Sequence, residues 1–162
     1  MKHFPGLGRV RINTDTGTGA VDSVATTRDP DLAPYRAAIG AEVVAVMISS
    51  ARYPKLDGSN VAAFSPAIVT GLLRRQLGYD GLVISDDLGQ AKAVARFSPG
   101  ERAVRFLSAG GDLVLTVRTS DAGPMTRALV AKGTSSAGFQ ARLDAAARRV
   151  LSAKERLGLL GC

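Results

Sequence analysis

The stretch Gly81-Leu82-Val83-Ile84-Ser85-Asp86-Asp87 is a short apolar run that ends in two adjacent carboxylates. Two further apolar, β-branched runs flank it in the chain, at residues 43–48 and 112–117. Continuous apolar runs of this length are typical of strands buried on both faces, as in a parallel sheet. The three runs therefore predict an α/β fold built on parallel strands.

Segments with helical signals alternate with these runs. Ser65-Pro66 supplies an N-cap and a first-turn proline, and Gly78 ends that segment. Ser98-Pro99-Gly100-Glu101 is a capping box. Helices are also predicted over residues 31–40 and along the apolar stripe of residues 139–157. The predicted order is helix, strand, helix, strand, helix, strand, helix, helix, which fits an open doubly wound sheet or a (β/α)₈ barrel.

Length and composition predict one globular domain over residues 1–162. Hydrophobic residues make up 46% of the chain and charged residues 22%, and no apolar run approaches the roughly 20 residues that span a bilayer. Cys162 is the single cysteine, which excludes a disulfide framework and a zinc site built on cysteine pairs. The single histidine is His3, so no metal cluster is expected. Because residues 1–6 lack a secretory signal, we expect this chain to be cytoplasmic. This expectation does not extend to a longer parent protein, which could be exported.

The charge pattern argues against nucleic acid as a partner. The formal net charge is +7 and the pI is near 10.2. The basic residues are nevertheless scattered singly or in pairs among apolar residues, and aromatic residues are only 5%. A G-x-G-x-x-G phosphate fingerprint is missing from the sequence. We therefore expect solvated helix faces, with no nucleic-acid and no membrane partner.

Functional groups of α/β proteins collect at the carboxyl ends of the strands. Asp86 stands at such an end and is either an N-cap for the next helix or a functional acid, while Asp87 is expected to orient the loop or cap that helix. Arg52 and Tyr53 follow the first strand, where they either line a site or form a surface arginine beside a packing tyrosine. By residue chemistry alone, Lys2-His3 is a frayed end.

Several motifs, in this order, resemble glycoside hydrolase family 3, and most closely its β-N-acetylhexosaminidase branch. The pairing of K-H-F-P-G with G-x-V-x-S-D-D is specific to that family, and the resemblance covers essentially the whole chain. The motifs are Lys2-His3-Phe4-Pro5-Gly6-Leu7-Gly8, Phe64-Ser65-Pro66, Leu77-Gly78-Tyr79-Asp80-Gly81-Leu82-Val83-Ile84-Ser85-Asp86-Asp87-Leu88, Ala109-Gly110-Gly111-Asp112-Leu113-Val114-Leu115 and Leu157-Gly158-Leu159-Leu160.

The resemblance implies a retaining glycosidase that needs no cofactor and acts on a carbohydrate. Asp86 takes the place of the nucleophile, which forms a covalent glycosyl-enzyme intermediate. Lys2 and His3 match the pair that binds sugar hydroxyls in the family, and Arg52 is a further candidate for substrate binding. The implied substrates carry terminal β-linked N-acetylglucosamine or related sugars, as in peptidoglycan-derived material.

The loop that carries the acid/base group departs from the family pattern. Leu7 replaces a loop histidine, Asn13 replaces the aspartate that orients the acid/base, and Asp15 falls where the acid/base histidine belongs. A carboxylic acid at this position serves as general acid if a poorly solvated loop raises its pKa. Asp15 is therefore either the acid/base or a turn residue.

A second departure concerns the extent of the barrel. If Lys2-His3 ends the fifth barrel strand, the chain runs from there through strand eight and the C-terminal helices, so the first four strands are missing. A half-barrel exposes a parallel edge and an apolar inner face, and we expect it to aggregate, to form a homo-oligomer that completes the barrel, or to settle as an open sheet. The sequence leaves two functions open: an active glycosidase, or a truncated, inactive hydrolase that binds carbohydrate or depends on assembly.

Overall fold

The computed structural model describes residues 1–161, so Cys162 lies outside the described residues. Its strands are β1 (Ala45–Ile48), β2 (Arg52–Tyr53), β3 (Asp57–Val61), β4 (Leu82–Asp87) and β5 (Leu113–Leu115). Its longer helices are α1 (Ala33–Gly40), a π-helix (Ala67–Gln76), α2 (Pro99–Ala109), α3 (Thr119–Ser135) and α4 (Ala137–Arg156). The alternation of helices and parallel strands confirms the predicted fold class.

The central sheet has the order β1-β4-β5, and both pairs are parallel. In the first pair, Ala45 lies opposite Leu82 and Ile48 lies opposite Ser85. The start of the chain extends the sheet beyond β1, because Phe4 forms a parallel bridge with Ile48. Four parallel segments therefore end along one edge of the sheet.

Helix caps follow the sequence closely. Ser98 and Glu101 form both hydrogen bonds of the predicted capping box at the start of α2, and Gly110 ends that helix with a φ of 114°. The hydroxyl of Ser65 accepts a hydrogen bond from the amide of Ile68 at 3.1 Å, as a capping residue does. The helix that follows is a π-helix, which the apolar spacing did not predict.

The two faces of the central sheet differ in burial. Val46, Ile48, Val83 and Ser85 are buried beneath the helices. The alternate residues of β1 and β4 face the other way and are only half-buried: Ala45, Met47, Leu82, Ile84 and Asp86. The prediction that the strands are buried on both faces is therefore wrong for this chain, because its helices cover only one face of the sheet.

A small antiparallel pair, β2 and β3, lies after β1 and was not predicted. The sequence of β3, Asp57-Gly58-Ser59-Asn60-Val61, is polar and lacks the alternation that identifies a strand. Within the described residues, none of the helices combines the length and the apolar character required to cross a membrane.

Candidate active site

A cavity of about 500 Å³ opens at the carboxyl edge of the sheet. It brings together four of the residues singled out from the sequence, from three separate parts of the chain: Lys2, His3, Asp15 and Asp86. The remaining lining residues are Leu7, Val10, Arg11, Ile12, Asn13 and Thr14. The position agrees with the rule that functional groups of α/β folds gather where parallel strands end.

An irregularity in the sheet presents Asp86 to this cavity. Ile84 lies opposite Leu113, but Asp87 lies opposite Leu115, so β4 has one extra residue between these two pairs. Such a β-bulge interrupts the ladder and changes the direction of a side chain. The hydroxyl of buried Ser85 accepts a hydrogen bond from the amide of Leu115 at 2.9 Å, so this amide keeps a partner at the bulge.

The two neighbouring carboxylates have different surroundings. Asp87 accepts hydrogen bonds from the amides of Gly89 and Val117 through Oδ1 and from the amide of Gln90 through Oδ2. The prediction that Asp87 orients the loop is thereby confirmed.

Asp86 has far fewer protein donors. Its Oδ1 accepts a hydrogen bond from the amide of Asp87 at 2.9 Å, and its Oδ2 lies 3.8 Å from Nε2 of His3. The side chain is 17% exposed. The N-cap alternative is wrong, because Ser98 caps α2 and Ala91 occupies the N-cap position of the short 3₁₀-helix Lys92–Val94. The carboxylate of Asp86 is left open toward the cavity.

The N-terminal segment that carries Lys2 and His3 is hydrogen-bonded to the sheet. The amide of Phe4 donates to the carbonyl of Met47 at 2.8 Å, and the amide of Met47 donates to the carbonyl of Met1 at 2.9 Å. The frayed-end interpretation of Lys2-His3 is therefore wrong for this structure. The side chain of His3 is half-buried beside Asp86, and Lys2 is exposed at the cavity.

Two buried tyrosines donate hydrogen bonds to the backbone of this segment. The hydroxyl of Tyr35 donates to the carbonyl of His3 and that of Tyr53 donates to the carbonyl of Gly6, both at 2.7 Å. Burial raises the pKa of Tyr35 to about 12 and also raises the pKa of Tyr53. Both phenols therefore remain protonated donors over the physiological pH range.

Asp15 lines the same cavity and lies in a turn. The side-chain oxygen of Asn13 accepts a hydrogen bond from the amide of Asp15 at 2.7 Å, and the amide of Lys92 donates to the carbonyl of Asp15 at 3.2 Å. The carboxylate of Asp15 is exposed. Within residues 1–161, this turn is exposed and is not the poorly solvated loop that the general-acid hypothesis requires. Asn13 organises the turn through its hydrogen bond with the amide of Asp15.

Arg52 is not brought together with the other candidates. It belongs to β2, and its Nη2 donates to the carbonyl of Gly58 at 2.6 Å. It lines a separate, smaller cavity. Among residues 1–161, no cluster of three or more His, Cys, Asp or Glu side chains is placed to hold a metal ion.

Three residues support the site in a way that the sequence did not predict: Ser85, Tyr35 and Tyr53. Ser85 stands inside the S-D-D motif, so its position was visible, but the bulge that gives it a function depends on the register with β5. The two tyrosines come from distant parts of the chain, and their contacts with residues 3 and 6 depend on the tertiary fold.

Comparisons with known proteins agree on one family. The model of the Glycosyl hydrolase family 3 N terminal domain matches residues 1–153. Beta-hexosaminidase LpqI of Mycobacterium tuberculosis is 38% identical over 127 residues, which are 75% of this chain and 32% of that protein. Beta-hexosaminidase of Stenotrophomonas maltophilia is 38% identical over 117 residues, which are 71% of this chain and 34% of that protein.

Solved structures show the same relationship. The Beta-N-acetylhexosaminidase from Beutenbergia cavernae superposes with a TM-score of 0.92 at 46% identity, over 95% of this chain and 46% of that one. A glycoside hydrolase family 3 beta-N-acetylglucosaminidase from Paenibacillus sp. gives a TM-score of 0.89 at 32% identity, over 99% of this chain and 31% of that one. The chain spans about one third of the length of the curated relatives it matches. This chain belongs to glycoside hydrolase family 3.

Proposed function

We propose that this chain carries the catalytic nucleophile of a retaining β-N-acetylhexosaminidase. One observation carries the proposal: the Asp86 carboxylate is presented by the bulge in β4 to a cavity that it shares with Lys2 and His3, and it has only one close protein donor. A carboxylate bound by several donors, as Asp87 is, makes a poor nucleophile because its lone pairs are already engaged.

The reaction proceeds in two displacements. The carboxylate of Asp86 attacks the anomeric carbon of the sugar, and the bond to the leaving-group oxygen breaks while that oxygen takes a proton from the acid/base group. Water then attacks the same carbon, gives a proton to the acid/base group and releases Asp86 as carboxylate. Two inversions retain the β configuration in the released sugar.

Asp15 is the proposed acid/base group. Retaining enzymes place their two carboxyl groups about 5–5.5 Å apart across the glycosidic bond. Asp15 is the other acidic side chain among the residues that line this cavity, and it lies on a turn. A bound sugar covers this turn and excludes water from it, and these are the surroundings in which a carboxyl group can serve as general acid.

Lys2 and His3 are proposed to bind the sugar. The ammonium group of Lys2 has three donors, and the imidazole of His3 has a donor on one or both ring nitrogens. Both side chains line the cavity, and His3 Nε2 lies 3.8 Å from Asp86 Oδ2. Donors at this distance reach the hydroxyl groups of a sugar whose anomeric carbon contacts Asp86. Terminal β-linked N-acetylglucosamine is the proposed sugar, in line with the names of the related proteins.

The uncovered face of the sheet adds assembly to the proposal. Met47, Ile84 and Asp86 lie on this half-buried face, and Leu113 at the β5 edge is 38% exposed. An apolar face of this kind favours association with a matching surface. A second copy of the chain carries the same apolar face. We propose that copies of the chain associate through this face, so that a homo-oligomer covers it.

The test is hydrolysis of a chromogenic N-acetyl-β-glucosaminide, and of the corresponding β-glucoside, by the purified chain. Light scattering on the same sample gives the mass of the assembly. The variants are Asp86→Asn and, as a matched control, Asp144→Asn on the exposed side of α4. We expect turnover of the N-acetylglucosaminide that Asp86→Asn removes and Asp144→Asn retains.

Absence of turnover from a folded, monodisperse sample would overturn the catalytic proposal. Saturable binding of N-acetylglucosamine to that sample would then favour the alternative, an inactive fragment that binds carbohydrate. An unchanged rate in Asp86→Asn would remove Asp86 from the mechanism.

A further inference from the structure

A smaller cavity of about 240 Å³ has basic residues and no acidic residue in its lining. Its three basic residues are Arg52, Lys92 and Arg96. The other lining residues are Thr18, Ala20, Ser50, Val61, Ala93 and Ala95. Within residues 1–161, the three cations take part in none of the ion pairs. Their charge is therefore left uncompensated at the cavity.

A buried hydroxyl in the wall of this cavity has no hydrogen-bond partner among residues 1–161. Ser50 is 1% exposed, and its Oγ is one of two buried side-chain polar atoms without a partner in the described part of the chain. Buried polar groups are nearly always hydrogen-bonded, so an unpaired one needs an explanation. A ligand with acceptor oxygens in this cavity would provide the missing partner for the Ser50 O–H.

Hydrogen bonds from Arg102 hold both ends of the segment that carries Lys92 and Arg96. Buried Arg102 of α2 donates to the carbonyls of Leu88 and Gly89 through Nη1 and to the carbonyl of Phe97 through Nε. The guanidinium of Arg96 lies 4.6 Å from the centre of the Phe97 ring. Arg52 is fixed by its hydrogen bond to Gly58. Binding an anion here costs little ordering of the chain, because the backbone is already positioned.

We propose that this cavity is a binding site for a small oxyanion, either free phosphate or the carboxylate of an acidic saccharide. Cations without carboxylate partners attract an anion, and a hydroxyl donor adds a directed hydrogen bond to it. The site is separate from the Asp86 cavity, although one segment contributes to both: residues 10–15 line the first, and Thr18 and Ala20 line the second. The inference is independent of the proposed glycosidase activity.

The experiment is an amide NMR titration of the full chain with inorganic phosphate, glucuronate and, as the neutral comparison, glucose, at constant ionic strength. Phosphate or glucuronate is expected to shift the amides of Ser50, Lys92 and Ala93 saturably, and glucose to leave them unchanged. The anion that binds more tightly identifies the source of the oxyanion.

Two variants test the named groups. Lys92→Gln is expected to weaken the binding by about tenfold, whereas the matched Lys132→Gln on exposed α3 leaves it unchanged. Ser50→Ala is expected to weaken it as well, without changing the fold seen by circular dichroism. Equal losses in Lys92→Gln and Lys132→Gln would show attraction to the net charge alone and overturn the proposal. So would the absence of saturable shifts around residues 50, 92 and 93.

Discussion

The cavity has two walls that the chain builds in different ways. The wall with Asp86 belongs to the sheet: a bulge in β4 presents the carboxylate, and hydrogen bonds from Leu115 to Ser85 and from Phe4 to Met47 hold its neighbours. The wall with Asp15 is an exposed turn held by Asn13 and by the amide of Lys92. In the proposed mechanism, the nucleophile belongs to the sheet and the acid/base group belongs to the turn.

Loss of the Asp86 carboxylate is expected to have the largest effect. Asp86→Asn should lower turnover by about 10³-fold or more with any leaving group, because an amide does not form the glycosyl ester. The measurement is kcat on a series of aryl and alkyl N-acetyl-β-glucosaminides. A loss confined to poor leaving groups would instead assign Asp86 to proton transfer.

Loss of the Asp15 carboxylate is expected to be smaller and to depend on the leaving group. Asp15→Asn should lower turnover of an alkyl glycoside by about 10²-fold, the usual contribution of general acid catalysis. A nitrophenyl glycoside should lose much less, because its leaving group departs without a proton. The same series of substrates checks this. Equal losses on all substrates would contradict the division of roles between the two walls.

Ser85→Ala breaks the support of the sheet wall without touching its carboxylates. The change removes a partly buried hydrogen bond and leaves the amide of Leu115 without its acceptor, which should lower the free energy of unfolding by about 1–3 kcal/mol. Urea denaturation measures the effect. Exposed Ser59→Ala serves as the control and should remain within about 0.5 kcal/mol of the parent chain. Equal values for the two variants would show that the bulge does not depend on Ser85.

Tyr35→Phe probes the support of His3 and is expected to have the smallest effect, about 1 kcal/mol of unfolding free energy. The pKa of Tyr35 is raised from 10.0 to about 12 on folding, so its contribution is fully present below pH 10. It is lost as the pH rises from about 10 to about 12, where the unfolded chain releases the proton first.

The test is urea unfolding across that range of pH. Tyr35→Phe should lose stability less steeply above about pH 10 than the parent chain, although Tyr53 and Tyr79 also have raised pKa values and keep part of the slope. Identical slopes would contradict the burial of the Tyr35 hydroxyl.

The sequence predicts the sheet wall better than the turn wall. Apolar runs identified the central strands, and the S-D-D and K-H-F-P-G motifs placed Asp86, Lys2 and His3 at the edge where parallel strands end. Such local patterns do not contain the register between strands, so the bulge and the function of Ser85 were missed. The polar β3 strand carried no periodic signal, so the pairing of β2 with β3 was missed and the position of Arg52 was left open between the site and the surface.

Burial on the two faces of the sheet was also mispredicted. The continuous apolar runs of the strands are suited to two covered faces, but the chain supplies helices for only one of them. An apolar strand sequence indicates that both faces of the strand are suited to an apolar environment. It does not indicate which segment covers each face.

The most direct test of the central claim is to trap the glycosyl-enzyme intermediate. The chain is mixed with an activated N-acetyl-β-glucosaminide and quenched in acid within the turnover time, and its peptides are analysed by mass spectrometry. The account predicts one N-acetylglucosaminyl group in ester linkage to Asp86. A sugar attached to a different residue, or steady turnover in which no peptide ever carries a sugar, would contradict it.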